Sequence, residues 1–94
     1  MINLPLNVDF SGKVVVVTGA GGLICGAMAR AFAQCGAKVA ALDLNLDAVT
    51  KLADELTAEG FICKGYKADV LDPAALAAVH EAVVADLGTC DILI

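Results

Sequence analysis

Positive charge is scarce in this chain of 94 residues: six Lys and Arg stand against eleven Asp and Glu, and only 18% of the residues are charged. A protein that binds nucleic acid through the phosphate backbone needs many basic side chains grouped on one surface. Here they are few and scattered, so we expect no nucleic-acid partner. Hydrophobic residues make up 60% of the chain, which excludes an intrinsically disordered protein.

Long apolar runs are also missing. The longest stretch without a charge lies between Lys13 and Arg30, spans 16 residues and contains four glycines. A membrane-spanning helix needs about 18–20 apolar residues, so we expect no membrane span. Met1–Phe10 has no basic residue ahead of an apolar stretch and does not resemble a secretory signal. Together these absences predict a cytoplasmic protein.

Closely spaced cysteine pairs are absent as well. The chain has four cysteines, Cys25, Cys35, Cys63 and Cys90, but no C-x-x-C motif. Disulfide frameworks and zinc sites usually show such spacing. We therefore predict four reduced thiols that pack as small apolar side chains, and no metal site.

A regular alternation of short apolar runs and helix-like segments fills the chain. The run Val14–Thr18 is typical of a strand that is buried on both faces of a parallel sheet. Three further strands are predicted at Lys38–Leu42, Phe61–Ala68 and Asp91–Ile94. With right-handed crossovers, this order predicts an α/β fold, a Rossmann-type doubly wound parallel sheet with strand order 3-2-1-4. Residues 1–12 precede the first strand.

Each helix between these strands has a recognisable start or end. The first is predicted over Leu23–Cys35, and Gly36 follows it as the C-terminal capping residue. The second and third begin after the N-cap residues Asn45 and Asp72. Their core-facing residues follow helical spacing, namely Val49, Leu52, Ala53 and Leu56 in the second helix and Leu76, Val79, Val83 and Leu87 in the third.

A cluster of glycines lies where the first strand ends and the first helix begins, in the segment Gly19–Gly26. Glycines there let the backbone turn tightly and approach a ligand, and the free N–H groups of the new helix favour a phosphate. The alternative is a tight turn that binds nothing.

Two carboxylates are predicted at the same edge of the sheet, because each ends a strand. Asp43 comes 24 residues after Gly19, close to the spacing expected of a carboxylate that binds a ribose. Asp69 ends the third strand and would face the same crevice. The alternatives are a surface or helix-capping role for Asp43 and a loop-capping role for Asp69.

The same region indicates which dinucleotide would be bound. The 2′-phosphate of NADP needs a cation nearby. The positions where one would be expected, in the turn and directly after Asp43, carry no Arg or Lys: Ala20, Gly21, Leu44 and Asn45. A carboxylate would also repel that phosphate. The pattern therefore favours NAD over NADP.

Several short segments match one protein family in order and spacing. They are Gly12-Lys13-Val14, Val17-Thr18-Gly19, Gly36-Ala37-Lys38-Val39, Asp43, Ala68-Asp69-Val70 and Gly88-Thr89-Cys90-Asp91-Ile92-Leu93-Ile94. Over residues 10–94 the chain resembles the short-chain dehydrogenase/reductase family. Within it, the segments 21–26 and 88–94 are similar to the D-mannonate oxidoreductase (fructuronate reductase) branch.

The resemblance implies where a cofactor would be bound and what the enzyme would do. The turn would contact the pyrophosphate through Gly19, Gly21, Gly22, Leu23 and Ile24. Asp43, with Leu44 beside it, would contact the ribose, and Asp69 and Val70 the adenine. The implied activity is NAD(H)-dependent hydride transfer between nicotinamide and the hydroxyl or keto group of a small-molecule substrate, such as the sugar acids D-mannonate and D-fructuronate. The whole enzyme would be a homo-oligomer, either a tetramer or a dimer.

The chain departs from the family pattern in two places. In the usual T-G-x-x-x-G-x-G turn the later glycines would fall at positions 23 and 25, where this chain has Leu23 and Cys25. The catalytic Tyr-x-x-x-Lys pair is absent, because Tyr66 is followed four residues later by Val70. Tyr66 is expected to pack within its strand, and His80 to lie on the surface. We therefore predict no catalytic residue here and interpret residues 1–94 as the cofactor-binding half-domain of a longer enzyme.

Two other functions fit parts of the pattern. A nucleotide-binding module without catalysis would use the same turn and carboxylates. An S-adenosylmethionine-dependent methyltransferase also combines a glycine turn with a carboxylate after the second strand, although Thr18-Gly19 and Asp91–Ile94 argue against it.

Because the chain would form only half of a sheet, we expect it to be marginally stable alone. The fourth strand is expected to bury Ile92–Ile94 on both faces and to leave its outer edge open to aggregation.

Overall fold

Four strands pair side by side in the computed structural model, which describes residues 9–94. They are β1 (Val14–Thr18), β2 (Lys38–Asp43), β3 (Ile62–Lys67) and β4 (Ile92–Leu93). All neighbouring pairs are parallel and their order is β3-β2-β1-β4, which confirms the predicted topology. Residues 1–8, on which the prediction of no secretory signal mainly rests, lie outside the described residues.

Three helices connect the strands: α1 (Leu23–Gln34), α2 (Leu46–Ala58) and α3 (Pro73–Asp86). The predicted N-caps are confirmed, since the side chains of Asn45 and Asp72 each accept a hydrogen bond from a first-turn N–H, at 3.1 and 3.0 Å. Cys35 is the C-cap of α1, and Gly36 then takes a φ of +94°, the left-handed conformation that commonly ends a helix. Between residues 9 and 94, no helix is long and apolar enough to cross a membrane.

The two faces of the sheet carry separate apolar cores. β1 supplies both, since Val15 and Val17 pack with α1 and α2 while Val14 and Val16 pack with α3. These four valines are all buried, as predicted. The predicted apolar stripe of α2 is buried throughout: Val49, Leu52, Ala53 and Leu56. Hydrophobic burial on the α1–α2 face therefore holds the first two strand–helix units together.

The opposite face is less completely covered. Of the predicted stripe of α3 only Val83 is buried, while the stripe residues Leu76, Val79 and Leu87 are half-buried. The segment Ile92–Ile94 was expected to be buried on both faces, but Leu93 is 69% exposed and Ile92 and Ile94 are only half-buried. The reason is an apolar cavity of about 470 Å³ between α3 and the β1–β4 edge, which no described element fills.

The burial of β3 leads to a prediction about thiol reactivity. All four cysteines carry free thiols, as predicted, and Cys63 is the buried one; burial raises its pKa to about 11. Because the thiolate is the reactive form, we expect iodoacetamide at mildly alkaline pH to modify Cys63 far more slowly than the three half-buried cysteines. Peptide mass spectrometry over a time course measures this. Modification of Cys63 as fast as the others would contradict the packing of β3 against α2.

Candidate functional site

The turn between β1 and α1 lies at the carboxyl edge of the sheet. Gly19 opens it with a φ of +63°, a left-handed conformation that favours glycine. The Gly22 N–H donates to the Gly19 carbonyl oxygen at 3.0 Å. The Ala20 N–H donates to the Leu42 carbonyl oxygen of β2 at 2.9 Å. These bonds fold the turn back on itself and tie it to the neighbouring strand.

Two glycines of the turn allow close approaches that a side chain would prevent. A Cβ atom on Gly21 would come within 2.9 Å of both Oδ2 of Asp43 and the Ala48 Cβ. A Cβ atom on Gly26 would lie 3.0 Å from the Ala20 carbonyl oxygen. Gly26 therefore lets α1 pack against the turn, although the family pattern has its glycine one position earlier.

Leu23 stands where the family pattern has a glycine, and its position shows how the change is accommodated. It is 92% exposed and lines a cleft of about 630 Å³ between α1 and α2, together with Ala27 and Lys51. It does not line the pocket beside Asp43. The leucine therefore leaves that pocket unobstructed.

The N-terminus of α1 differs from those of the other two helices. Its N-cap is Gly22, which has no side chain to accept a hydrogen bond; its first turn, like that of α3, contains no acidic residue. Helices α2 and α3 are capped by Asn45 and Asp72. The first N–H groups of an uncapped helix need acceptors, and the helix dipole favours an anion there. This end of α1 fits a phosphate group.

Asp43 joins the turn to the end of β2. Its Oδ2 accepts a hydrogen bond from the Gly21 N–H at 3.0 Å, and its Oδ1 accepts one from the Asn45 N–H at 2.9 Å. A carboxylate has about four lone-pair sites. Two backbone donors thus fix its orientation and leave acceptor sites for the hydroxyl groups of a sugar.

A pocket of about 210 Å³ opens beside Asp43, between the carboxyl ends of β2 and β3. Its walls come from the turn and from both strand ends: Gly19, Leu42, Asp43, Leu44, Ala68, Asp69, Val70 and Leu71. The Asp69 carboxylate accepts a hydrogen bond from the Leu71 N–H at 2.9 Å, which shapes the loop before α3. Leu44, Val70 and Leu71 are largely exposed, which gives the pocket an apolar rim.

The predicted site residues divide between two surfaces. Five of them line this pocket: Gly19, Asp43, Leu44, Asp69 and Val70. Another three, Gly21, Gly22 and Leu23, line the cleft between α1 and α2, and Ile24, which is 75% exposed, lines neither. Sequence reasoning did not single out Leu42 and Leu71. Their position next to predicted residues at two adjacent strand ends is the signal that could have found them.

The two remaining candidates for acid–base chemistry lie elsewhere. Tyr66 is 9% exposed in β3, and its hydroxyl donates a hydrogen bond to Asp86 at 2.8 Å. Burial, and then the hydrogen bond to Asp86, raise the pKa of Tyr66 above its usual value, so it keeps its proton at neutral pH. His80 is exposed on α3. Both placements agree with the sequence, and neither residue lines the Asp43 pocket.

Comparison with known proteins places this geometry in a family. The model of the family described as short chain dehydrogenase matches residues 13–94. An uncharacterised oxidoreductase from Haemophilus influenzae is 39% identical over 93 residues, which cover 99% of this chain and 33% of that protein. D-threitol dehydrogenase from Mycolicibacterium smegmatis is 42% identical over 93 residues, which cover 95% of this chain and 36% of the relative. The chain therefore spans about a third of the length of these relatives.

Solved structures agree with the sequence comparison. A protein from Haemophilus influenzae, solved with bound NAD and provisionally named a D-mannonate oxidoreductase, gives a TM-score of 0.90 at 39% identity, over 93% of this chain and 31% of that one. A metagenomic short-chain oxidoreductase in complex with NADP gives a TM-score of 0.81 at 34% identity, over 88% of this chain and 38% of that one. With the parallel sheet, the glycine turn and the family model all in agreement, the chain belongs to the short-chain dehydrogenase/reductase family.

Proposed function

We propose that this chain binds NAD(H) as the cofactor-binding part of an oxidoreductase. The observation that carries the proposal is the position of Asp43, which is bonded to the turn before the uncapped end of α1 and also lines the pocket between β2 and β3. A dinucleotide needs a phosphate site, a sugar acceptor and a partly apolar slot for a base next to one another. In this proposal the pyrophosphate contacts Gly19, Gly21, Gly22, Leu23 and Ile24, the ribose contacts Asp43 and Leu44, and the adenine contacts Asp69 and Val70.

The choice of NAD over NADP follows from charge. No Arg or Lys is among the described residues that line the pocket, so a 2′-phosphate bound there would meet the Asp43 carboxylate without a cation in the pocket wall. Solved members of the family bind one cofactor or the other, and the NAD-bound one is 39% identical against 34% for the NADP-bound one. Both facts support NAD.

The chemistry of the reaction would be divided between the cofactor and the rest of the protein. Bound NAD supplies the nicotinamide ring that accepts or donates a hydride. The residues of this chain bind and orient it: the turn holds the phosphates by backbone N–H groups, and Asp43 holds the ribose. We propose that residues 1–94 are the half-domain of a longer polypeptide, since they cover only a third of the relatives, and that the catalytic tyrosine and lysine lie in its remainder.

The substrate proposed is a small molecule with a hydroxyl or keto group, such as the sugar acids D-mannonate or D-fructuronate. Support comes from the provisional name of the NAD-bound neighbour and from the similarity to a D-threitol dehydrogenase, since both names denote polyhydroxylated compounds.

We propose that the whole enzyme is a homo-oligomer in the cytoplasm. A nucleotide-binding module without catalysis remains the alternative, and an open reading frame that lacks Tyr-x-x-x-Lys would favour it. The family assignment weighs against a methyltransferase.

One prediction of the proposed function concerns the charge of Asp43. Asp43→Ala is expected to weaken NAD binding by about 1.5–3 kcal/mol, the range for a hydrogen bond to a charged group, and to weaken NADP binding far less. Calorimetric titration of the protein expressed from its whole open reading frame measures both. Asp43→Asn keeps one oxygen acceptor and separates loss of charge from loss of turn geometry. Asp47→Ala removes an exposed carboxylate of α2 as the matched control. Wild-type protein that binds NADP as tightly as NAD would contradict the proposal.

A second prediction concerns the turn itself. A Cβ atom on Gly22 would lie 3.2 Å from the Gly19 carbonyl oxygen, and valine adds two further methyl groups where the backbone must approach a phosphate. We expect Gly22→Val to abolish NAD binding while the circular dichroism spectrum is preserved. Ala58→Val, at an exposed position of α2 that lines neither the Asp43 pocket nor the α1–α2 cleft, is the control. Wild-type affinity in Gly22→Val would show that the turn serves only the fold.

A further inference from the structure

A polar cluster fixes the C-terminal end of α3 to the sheet. We call it the Asp86 anchor; it consists of Lys64, Tyr66 and Asp86. The Tyr66 hydroxyl and the Lys64 Nζ both donate to Oδ2 of Asp86, at 2.8 and 2.7 Å. Lys64 is largely exposed, so its ion pair contributes little, whereas Tyr66 is buried in the edge strand β3. The bond between Tyr66 and the last residue of α3 is therefore the protected part of the anchor.

The N-terminal half of α3 has no comparable attachment. The one buried residue of the helix, Val83, belongs to its second half, whereas the first half contributes only partly buried side chains such as Leu76 and Val79. The apolar cavity of about 470 Å³ runs along the helix, from Val70 and Leu76 near its start to Val83 and Val84 in its second half. A helix of 14 residues is about 21 Å long, so a small rotation at the anchored end displaces the other end appreciably.

This free end of α3 carries one wall of the Asp43 pocket. The wall is the segment Asp69–Leu71, and Asp72 directly after it caps the helix. The Asp72 N–H donates to the Asp69 carbonyl oxygen at 3.0 Å, which couples the wall to the start of the helix. Val70 lines both the pocket and the cavity under α3, so it separates the two spaces. A displacement of the start of α3 therefore changes the width of the pocket.

We propose that Asp86 and Tyr66 are positioning residues for the cofactor, which hold α3 so that the Asp69–Leu71 wall closes on the adenine. The inference rests on the proposed function. No member of the Asp86 anchor lines the pocket, so the effect is transmitted through α3. Because binding and helix position are linked equilibria, the cofactor in turn favours the anchored position of the helix.

The test is Asp86→Ala in the protein expressed from its whole open reading frame, which removes the acceptor of the Tyr66 hydrogen bond together with the charge. We expect the dissociation constant for NAD, measured by calorimetry, to rise about 2- to 30-fold, the range for residues that act through a coupled element. Hydrogen exchange measured by mass spectrometry should accelerate in peptides covering 69–79 and stay unchanged in β1 and α2. Asp86→Glu, which keeps the carboxylate, should recover most of the affinity.

Glu81→Gln is the matched control, because it removes one exposed carboxylate from α3 itself and leaves the Asp86 anchor untouched. Wild-type affinity and exchange in Asp86→Ala would overturn the inference, as would an equal loss of affinity in Glu81→Gln. If Asp86→Ala does not fold, Tyr66→Phe keeps the buried ring and carries the same expectations. Wild-type protein that fails to bind NAD would contradict the proposed function instead, and the exchange comparison would still decide whether Asp86 holds α3.

Discussion

The hydrogen bond from the Gly21 N–H to the Asp43 carboxylate is the contact on which the candidate site depends. It joins the turn after β1 to the end of β2 over 3.0 Å. It forms only because position 21 is a glycine and because β1 and β2 pair in the register that sets Thr18 opposite Leu42. With this contact in place, the carboxylate lies at the mouth of the pocket and the end of α1 lies beside it.

The electrostatics of the site are those of backbone groups rather than of side-chain cations. The chain has a net charge of −5, yet its proposed ligand is an anionic dinucleotide. The uncapped N–H groups of α1 and its dipole supply the local positive potential that the side chains do not. Asp43 then adds a negative charge close by, which suits a ribose hydroxyl and opposes the 2′-phosphate of NADP. In the proposed function, the N-terminus of α1 would therefore supply affinity for the pyrophosphate, and Asp43 would supply selectivity for NAD over NADP.

Much of this architecture could be predicted from the sequence, because its determinants are local. Each signal determines structure only within a few residues of itself: the valine run forms β1, Asn45 and Asp72 begin helices, and Gly36 ends one. The strand order was predicted from the alternation of strands and helices along the chain. The pocket could be predicted too, since Asp43 ends β2 and Asp69 follows β3 by two residues, both at the carboxyl edge of a parallel sheet.

The features that could not be predicted depend on contacts distant in sequence. The exposure of Leu93 depends on the open cavity between α3 and the β1–β4 edge, which no pattern within Asp91–Ile94 predicts. The bond between Tyr66 and Asp86 joins residues 20 positions apart, so no local pattern records it. The role of Gly26 became visible only from its distance to the Ala20 carbonyl oxygen.

The central claim, that Asp43 and the glycine turn together bind the adenosine diphosphate part of NAD, is tested most directly by a crystal structure of the whole protein with NAD. The account predicts phosphate oxygens against the backbone N–H groups of residues 19–24, a ribose hydroxyl hydrogen-bonded to the Asp43 carboxylate, and the adenine against Asp69 and Val70. A cofactor whose phosphates lie away from the turn, or whose adenosine end lies away from Asp43, would contradict it.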